Sequence, residues 1–400
     1  MIEKQIIDYV VLTFLCIVSV GASFALYQNG AGTISPEGEG ARLITYIRNK
    51  PMLPDSSAIA MRALRQNRRK PPALEPPPVI VSPSPTPVVL PPPLRAATEV
   101  MAWLYPGAPA CLASTEISDG RKINVLKAEY FTVTDTGALT LLPEAVAGCN
   151  GYSEKNIALL KQFSTSQYVT VSANFAGAME LFLKGNTSEA VNTLVSFTTT
   201  HQLTGVELDY EDFGSWSGEQ YTLYKEFVTL LGEELHAHGK KLIIDGPAIS
   251  SSVEEGWFVW RYQDFTALPV DQIVVMAYDH QYDEGVGSAI SPFAWMENVI
   301  SWTLKKYPDK SKIVVGLPSY GYRGVEGTQK VIIETHEQIA KENGFSTATR
   351  DPLSGEMTWL TGTTRFFYQD GESLRQKQVL VEKLGIPSIS IWHLGGNLWF

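Results

Sequence analysis

The 400-residue chain has little cysteine, with only Cys16, Cys111 and Cys149. None of them stands in a C-x-x-C pair or another zinc-ligand spacing, so the sequence predicts no metal site, and it predicts no cofactor. Because Cys16 lies in an apolar run, Cys111 and Cys149 are the one possible disulfide pair in an oxidising compartment. The sequence leaves open whether these two cysteines are bridged.

The main body of the chain is short of positive charge. Residues 1–95 contain ten Lys and Arg against six Asp and Glu, a net charge of +4. Residues 96–400 contain 22 basic against 36 acidic residues, a net charge of −14. Because phosphate binding needs clustered cations, this acidic body argues against nucleic acid as the partner.

Residues 9–27 are uncharged and mostly apolar, and they follow a short tail, residues 1–8. As a helix they would span roughly 28 Å, about the thickness of a bilayer core. A cleavable signal peptide is the alternative, with Ser23 to Ala25 as a small-x-small cleavage site. We favour an uncleaved transmembrane anchor. Both interpretations export the rest of the chain.

Residues 28–95 are predicted to form a disordered stalk. A basic cluster at 62–70 is interpreted as a solvated charge run, and residues 71–95 contain eleven prolines. Such a stretch adopts extended polyproline II and would reach up to roughly 75 Å. A spacer of this kind indicates a body that stands off from a membrane.

From residue 96 onward, short β-branched runs alternate with helix-like segments. Eight such strands over about 300 residues predict a (β/α)8 TIM barrel, an α/β fold. A doubly wound open sheet is the alternative, but residues 105–109 do not form its Gly-rich phosphate loop. Residues 324–370 are too long for a simple connection and predict a small α+β insertion between strands seven and eight, with a helix at 333–342. The predicted strands are 100–105, 123–133, 168–174, 204–211, 240–247, 272–279, 312–320 and 387–392, and the predicted helices are 153–163, 188–202, 217–239, 292–307 and 371–384.

Three acids alternate with apolar residues on the fourth predicted strand, 204–211. Strand side chains alternate between faces, so Glu207, Asp209 and Glu211 share one side. The alternative is a strand at the edge of the sheet whose three acids face solvent and form no site. Leu208 and other apolar neighbours favour an internal strand, where crowded carboxylates raise the pKa of one another. That arrangement is typical of a general acid.

Two other strand ends supply groups that suit a sugar ring. The sixth predicted strand ends in Met276, Tyr278 and Asp279, and the eighth ends in Trp392. In such barrels the functional residues lie at the carboxyl ends of the strands. The aromatic residues Tyr105 and Tyr320 are further candidates for stacking on sugar. The neighbouring histidines, His280 and His393, are interpreted as structural.

At these residues the sequence resembles glycoside hydrolase family 18, the chitinase-like barrels, over about residues 98–400. The family signature D-G-x-D-x-D-x-E corresponds to residues 204–211, M-x-Y-D to 276–279, and the strand-eight tryptophan to Trp392. The resemblance is closest to the spore-cortex and cell-wall hydrolase branch. Two positions depart from the signature, because Thr204 replaces its first Asp and Glu207 its second.

The resemblance implies a role for each matching residue. Glu211 would protonate the glycosidic oxygen, while the substrate's own 2-acetamido carbonyl attacks C1 in place of an enzymic nucleophile. Asp209 would orient the acetamido group, and Tyr278 would hydrogen bond to its oxygen. The remaining candidates would bind substrate: Glu207, Met276, Asp279, Trp392, Tyr105 and Tyr320.

The sequence therefore predicts a membrane-anchored glycosidase with its catalytic domain on the extracytoplasmic side. Its substrate would contain N-acetylglucosamine, in chitin-like or peptidoglycan glycans. A secreted enzyme is the alternative for localisation, and a catalytically weak or inactive glycan-binding protein is the alternative for function. The sequence does not predict the oligomeric state.

Overall fold

The computed structural model describes residues 98–108, 110–113 and 123–398. Eight parallel strands close into a barrel in the order β1-β14-β8-β7-β6-β5-β4-β2, and β2 pairs back with β1. All eight barrel strands were predicted from the sequence, and the TIM-barrel prediction is confirmed. The barrel strands are β1 (Glu99–Leu104), β2 (Val125–Val133), β4 (Ser166–Ala173), β5 (Gly205–Tyr210), β6 (Lys241–Gly246), β7 (Gln272–Met276), β8 (Ile313–Pro318) and β14 (Ser388–Trp392).

The helices pack around the outside of the barrel. The longest, α5, has a capping box at Ser217 and Gln220, which satisfies backbone donors at its start. Its apolar residues at three- and four-residue spacing, such as Tyr224, Phe227 and Leu231, are buried. The helices are α1 (Glu144–Ala147), α2 (Glu154–Phe163), α3 (Ala176–Leu183), α4 (Thr187–Thr200), α5 (Gly218–Ala237), α6 (Ser252–Glu255), α7 (His280–Glu284), α8 (Phe293–Lys306), α9 (His336–Ile339) and α10 (Gly371–Lys383).

Several elements of the barrel region were not predicted: the short helices α1, α6 and α7, the helix α3 and a short strand. Helix α3 is mostly apolar, so it lacks the polar face from which sequence periodicity is read. The short strand β3 (Leu139–Leu141) pairs antiparallel with β2 and extends the sheet beyond the barrel. Helix α3 and strand β3 both follow the carboxyl end of a barrel strand, where insertions are frequent.

The two faces of each barrel strand differ in composition. On β5 the outward residues Val206, Leu208 and Tyr210 are buried in the core between strands and helices. One layer of inward residues is apolar, and it includes Met101, Val125, Ile243, Val274 and Val314. Below this layer, at the amino-terminal end of the strands, Glu99 Oε2 accepts hydrogen bonds from Gln272 Nε2 (3.5 Å) and Ser388 Oγ (3.1 Å).

The predicted insertion is a separate five-stranded antiparallel sheet of order β10-β9-β13-β12-β11. It begins at Gly321, three residues earlier than predicted, and its last strand ends at Tyr368. The helix in this region, α9, is shorter than the predicted 333–342. Glu334 belongs to a strand instead, and Thr335 is the N-cap of the helix. The strands are β9 (Gly321–Val325), β10 (Ile332–Glu334), β11 (Thr349–Arg350), β12 (Met357–Thr361) and β13 (Thr364–Tyr368).

Cys111 and Cys149 are joined by a disulfide, with their Cα atoms 5.4 Å apart. The bridge connects the loop after β1 to the segment after α1. Asn150 reinforces this connection, because its Nδ2 donates hydrogen bonds to the carbonyls of Tyr105 (3.1 Å) and Ala110 (2.7 Å). The rim of the barrel beside Tyr105 is therefore tied down covalently.

The tail at 1–8, the apolar segment at 9–27 and nearly all of the predicted stalk at 28–95 lie outside the described residues, as do residues 96 and 97 of the predicted barrel domain. Within the described part of the chain, no helix is both long enough and apolar enough to span a membrane.

Candidate active site

Glu211 lies immediately beyond the carboxyl end of β5, where its backbone is held from two sides. Its N–H donates to the carbonyl of Ala173 (2.9 Å), which extends the pairing with β4 by one residue. Its carbonyl accepts a hydrogen bond from Trp216 Nε1 (2.7 Å). The side chain is only part-buried, as a proton donor to a bound substrate requires.

Tyr278 lies after the end of β7 and is 8% exposed. Its pKa is raised well above the usual value, first by burial and then by the negative charges of Asp209, Asp245, Asp279 and Glu211. The structure thus places the tyrosine near Asp209, Asp279 and Glu211, which the sequence proposed, and near Asp245, which it did not. The phenol stays protonated and can donate a hydrogen bond at neutral pH.

Trp392 and Tyr320 form the aromatic side of the site. Their rings pack edge to face at 5.3 Å, and the ring of Tyr320 lies 6.5 Å from that of Tyr278. The hydroxyl of Tyr320 donates a hydrogen bond to Asp279 Oδ1. Trp392 is part-exposed. The exposed part of a flat indole offers the surface on which a sugar ring stacks.

Asp279 has a left-handed backbone, with φ of 72°, and it immediately precedes α7. Gln281 Nε2 donates a second hydrogen bond to its Oδ1 at 3.2 Å. Two side chains of the protein therefore hold the carboxylate of Asp279 in place. Met276, on the inward face of β7, is part-buried and packs beside Tyr278 and Trp392.

Tyr105 lies just after β1, on the side of the barrel near Glu211. Its pKa is raised to about 12, first by burial and then by the charges of Glu129 and Glu211. Its ring centroid is 6.1 Å from that of His393. The structure thus places Tyr105 among the acidic groups at the carboxyl ends of the strands.

Glu207 lies one layer below these residues and is fully buried. Its carboxylate forms an ion pair with Lys127 of β2, and it accepts a hydrogen bond from Thr170 Oγ1 at 2.7 Å. Lys127 Nζ also lies 3.3 Å from the centre of the Trp103 ring. Both carboxylate oxygens are engaged inside the barrel, and the side chain has no exposed surface for a substrate to contact.

Three polar residues of the barrel interior were missed by sequence reasoning: Lys127, Glu129 and Asp245. The signal was present on β2, because Lys127 and Glu129 are in phase with the inward Val125. On β6 the signal was a lone acid in the apolar run Leu-Ile-Ile-Asp-Gly. An acid within such a run predicts either a buried partner or a bound proton.

The two histidines beside the site, His280 and His393, are held by neighbouring groups, and their structural role stays a prediction. Burial lowers the pKa of His280 and lowers that of His393 to about 4. His393 Nδ1 donates a hydrogen bond to the carbonyl of Leu394 (2.7 Å), and His280 packs on Trp295 at 4.8 Å. Both rings are neutral at pH 7.

Glu129 points into the barrel from β2 and accepts a hydrogen bond from Ser172 Oγ at 2.7 Å. Burial raises its pKa from 4.5 to about 7; the Ser172 hydrogen bond opposes this shift, and the charges of Asp209 and Glu207 add to it. The folded protein therefore binds more protons at this group than the unfolded chain does between these two pH values. Its contribution to stability is complete below pH 4.5 and is lost as the pH rises through 7.

Glu129→Gln is therefore expected to stabilise the protein at alkaline but not at acidic pH. The pKa rise corresponds to roughly 3 kcal/mol in the free energy of unfolding. Urea unfolding of wild type and variant at pH 4 and pH 8 measures the difference. Equal differences at the two pH values would contradict a buried, protonated Glu129.

Gly316 of β8 makes room for Tyr278. A Cβ atom at this position would lie 2.9 Å from Cε1 of Tyr278 and 3.1 Å from the carbonyl oxygen of Val275. Gly316→Ala is therefore expected to displace the phenol from the acids and lower kcat by on the order of 100-fold, as small misplacements in active sites do. Gly177→Ala in α3, which has open space around it, is the control and should retain full activity. An active Gly316→Ala variant would show that the position of Tyr278 is not critical.

Comparison with known proteins decides the family. The sequence profile of glycosyl hydrolases family 18 matches residues 155–397, more than half of the chain. The chain belongs to glycosyl hydrolases family 18. This finding confirms the resemblance based on the three motifs, and it makes the barrel a glycoside hydrolase domain.

Relatives of this family 18 chain include spore-cortex enzymes and chitinases. The cortical fragment-lytic enzyme of Bacillus subtilis (strain 168) is 23% identical over 221 residues, which are 51% of this chain and 49% of that protein. The alignment thus spans about half of that relative's length. The chitinase of Chromobacterium violaceum ATCC 12472 has a TM-score of 0.61 at 21% identity, covering 75% of this chain and 95% of that chain.

A second solved structure of this kind is the spore cortex-lytic enzyme SleL of Bacillus cereus. It has a TM-score of 0.61 at 18% identity, covering 75% of this chain and 72% of that chain. At these identities the two structures support the fold alone. Strands β1 and β2 precede the residues that the family 18 profile matches. Lys127 and Glu129, both on β2, therefore lie outside the matched range.

Proposed function

We propose that the barrel hydrolyses β-1,4 linkages next to N-acetylglucosamine, by substrate-assisted catalysis with retention of configuration. The observation that carries the proposal is that the charge of Glu211 acts on Tyr278, and that the rings of Tyr278 and Trp392 both lie beside that of Tyr320, at the carboxyl ends of the strands. A proton donor, a neutral phenol and a part-exposed indole are the groups that such a reaction needs. No metal or other cofactor takes part in the proposed reaction.

Glu211 starts the reaction by donating its proton to the glycosidic oxygen. The acetamido carbonyl oxygen of the substrate forms a bond to C1 as the C1–O bond to the leaving sugar breaks. The resulting oxazolinium ion is cationic and lies beside the carboxylate of Asp209, which stabilises it electrostatically. Tyr278 donates a hydrogen bond to the acetamido oxygen and holds it below C1.

Water completes the reaction from the side that the leaving sugar has vacated. The carboxylate of Glu211 removes a proton from the water as its oxygen bonds to C1, and the oxazolinium ring opens. Glu211 recovers its proton, and the product keeps the original anomeric configuration. Trp392 and Tyr105 would contact the sugar faces, and Met276, Asp279 and Tyr320 would shape the wall.

A chitin-like or peptidoglycan glycan is the proposed substrate. The relatives named chitinase and cortex-lytic enzyme support this choice, as do the predicted anchor at 9–27 and the spacer at 71–95. We propose that the barrel acts outside the cytoplasmic membrane, either anchored to it or secreted after cleavage. A polymer of the cell envelope fits an enzyme held at a distance from the membrane.

The full-length protein incubated with N-acetylglucosamine oligomers and with purified peptidoglycan fragments tests the proposal. Chromatography of the products measures turnover, and proton NMR of the first product gives the anomer. We expect the β-anomer to appear first. Release of the α-anomer first would contradict the substrate-assisted route.

A glycan-binding protein without turnover is the second candidate. The observation that favours it is the diversion of Glu207 into the pair with Lys127, at a position where the family signature has an acid beside Asp209. Saturable binding of the oligomers by calorimetry, with no product after prolonged incubation, would support this alternative.

A further inference from the structure

Asp245 is an acid in the barrel interior that the proposed reaction does not yet use. It lies on β6, and its side chain is fully buried. The register of β5 and β6 pairs Leu208 with Ile244, both of which face the helices. The next residues along the strands, Asp209 and Asp245, therefore lie opposite each other and point into the barrel.

The side chain of Asp245 lies close enough to that of Asp209 for the two carboxyl groups to interact electrostatically. Neither oxygen of Asp245 accepts a hydrogen bond from an N–H or O–H group in the part of the chain that the structure describes. Two buried carboxyl groups that face each other repel strongly unless one of them takes up a proton. The pair of Asp209 and Asp245 therefore holds a proton at its contact.

The cation that acts on this pair, Lys127, is already engaged. Lys127 forms its ion pair with Glu207, and its Nζ lies against the Trp103 ring. Burial of Asp245 and the charges of Glu207 and Asp209 raise its pKa well above the ordinary value, and the charge of Lys127 opposes this only in part. Asp245 is fully buried whereas Asp209 is part-exposed, so Asp245 is the carboxyl of the pair for which the charged form is less favourable.

We propose that Asp245 is the positioning residue that shares a proton with Asp209, in the place that the family signature gives to residue 207. This proposal rests on the proposed function, in which Asp209 orients the acetamido group. The Asp245 O–H donates to one oxygen of Asp209, which fixes the carboxylate. The other oxygen is then directed at the substrate N–H.

The proton on Asp245 also limits the number of charges beside Glu211. If both carboxylates were ionised, their charges would destabilise the carboxylate that Glu211 becomes when it gives up its proton. With Asp245 neutral, Asp209 alone carries the charge that stabilises the oxazolinium ion. Deprotonation of Asp245 at high pH would break the hydrogen bond and place two anions side by side, so activity should fall there.

Several other titratable groups face this pair and set its environment. Their presence requires that the pH dependence be assigned by substitution rather than from the wild-type profile alone. They are Lys127 and Glu129 on β2, Glu207 on β5, Tyr278 after β7, Tyr224 on α5 and Tyr262 behind β6.

Two variants of the full-length protein, Asp245→Asn and Asp245→Leu, separate the effect of the hydrogen-bond donor at residue 245 from the effect of its charge. Asparagine supplies a permanent N–H donor at the same position, so kcat should stay close to that of wild type. The alkaline fall in its kcat profile should move to higher pH or disappear. Leucine removes the donor, and kcat should fall by roughly 100-fold with KM less affected. Asp271→Asn, at the opposite end of the barrel, is the matched control and should leave the profile unchanged.

Infrared spectroscopy of the resting protein tests the proton directly and needs no turnover. Wild type at pH 7 should show a buried carboxylic-acid C=O component that Asp245→Asn removes and Asp271→Asn retains, in addition to the component that Glu129, with a pKa of about 7, contributes to all three proteins. If wild type hydrolyses none of the substrates, the proposed function fails, yet the band still tests the proton-sharing pair.

Three outcomes would overturn the inference. The first is a wild-type infrared spectrum in which Asp245→Asn removes no acid band. The second is equal loss of kcat in the asparagine and leucine variants with an unchanged alkaline limb, which indicates only a structural role. The third is full activity in the leucine variant. If that variant does not fold, the band and the asparagine profile decide alone.

Discussion

Glu211→Gln is expected to lower kcat by about 100- to 10,000-fold, because glutamine cannot donate a proton to the glycosidic oxygen. The change keeps the size of the side chain and the backbone hydrogen bonds to Ala173 and Trp216. Binding of N-acetylglucosamine oligomers should therefore persist. Initial-rate kinetics and calorimetric titration of the same preparation measure the two effects separately.

Glu226→Gln is the matched control for this change. Glu226 is exposed on α5, away from the strand ends, and its substitution should leave both kcat and binding unchanged. Residual activity of Glu211→Gln within tenfold of wild type would show that another group donates the proton.

Lys127→Met is expected to destabilise the fold by about 3–5 kcal/mol, because it leaves the carboxylate of Glu207 buried without its cation. Both side chains of the pair are fully buried, so no solvent screens the loss. Urea unfolding at pH 7 measures the difference in free energy. Lys225→Met is the control, since the pair of Lys225 with Asp264 is part-exposed and should contribute at most about 1 kcal/mol.

The double variant Lys127→Met with Glu207→Met extends this test to function. Replacing a buried ion pair by apolar residues of similar size is often neutral, so stability should return toward that of wild type. Catalysis should also persist, because Glu207 has no exposed surface. A stable double variant with a strongly raised KM would instead support the sequence prediction that Glu207 binds substrate.

The sequence was sufficient for the barrel because its signals are local. On β14 the isoleucines face the helices while Ser390 and Trp392 share the interior, as alternation predicts. The same period of two placed Asp209 and Glu211 on one face of β5. The bounds of helices such as α5 were predicted closely because their capping residues and apolar face lie within one continuous segment of the sequence.

The partner of each buried charge depends instead on strands that are distant in the chain. Sequence reasoning placed Glu207 beside Asp209 in a substrate site because both belong to one strand. In the structure Glu207 pairs with Lys127, 80 residues away, and Asp209 contacts Asp245 on the next strand. Spacing along one strand carries no information about which residue of its neighbour lies opposite.

The sequence by itself determined the eight-stranded barrel, the motifs of its family and the strand ends at which the site would form. It left open the bridge between Cys111 and Cys149, which requires two loops to meet at the rim. Only the tertiary structure decided that the carboxylate of Glu207 pairs with a lysine and that Asp245 faces a second acid. Closure of the barrel sets those contacts, because it brings the inward side chains of β2, β5 and β6 together.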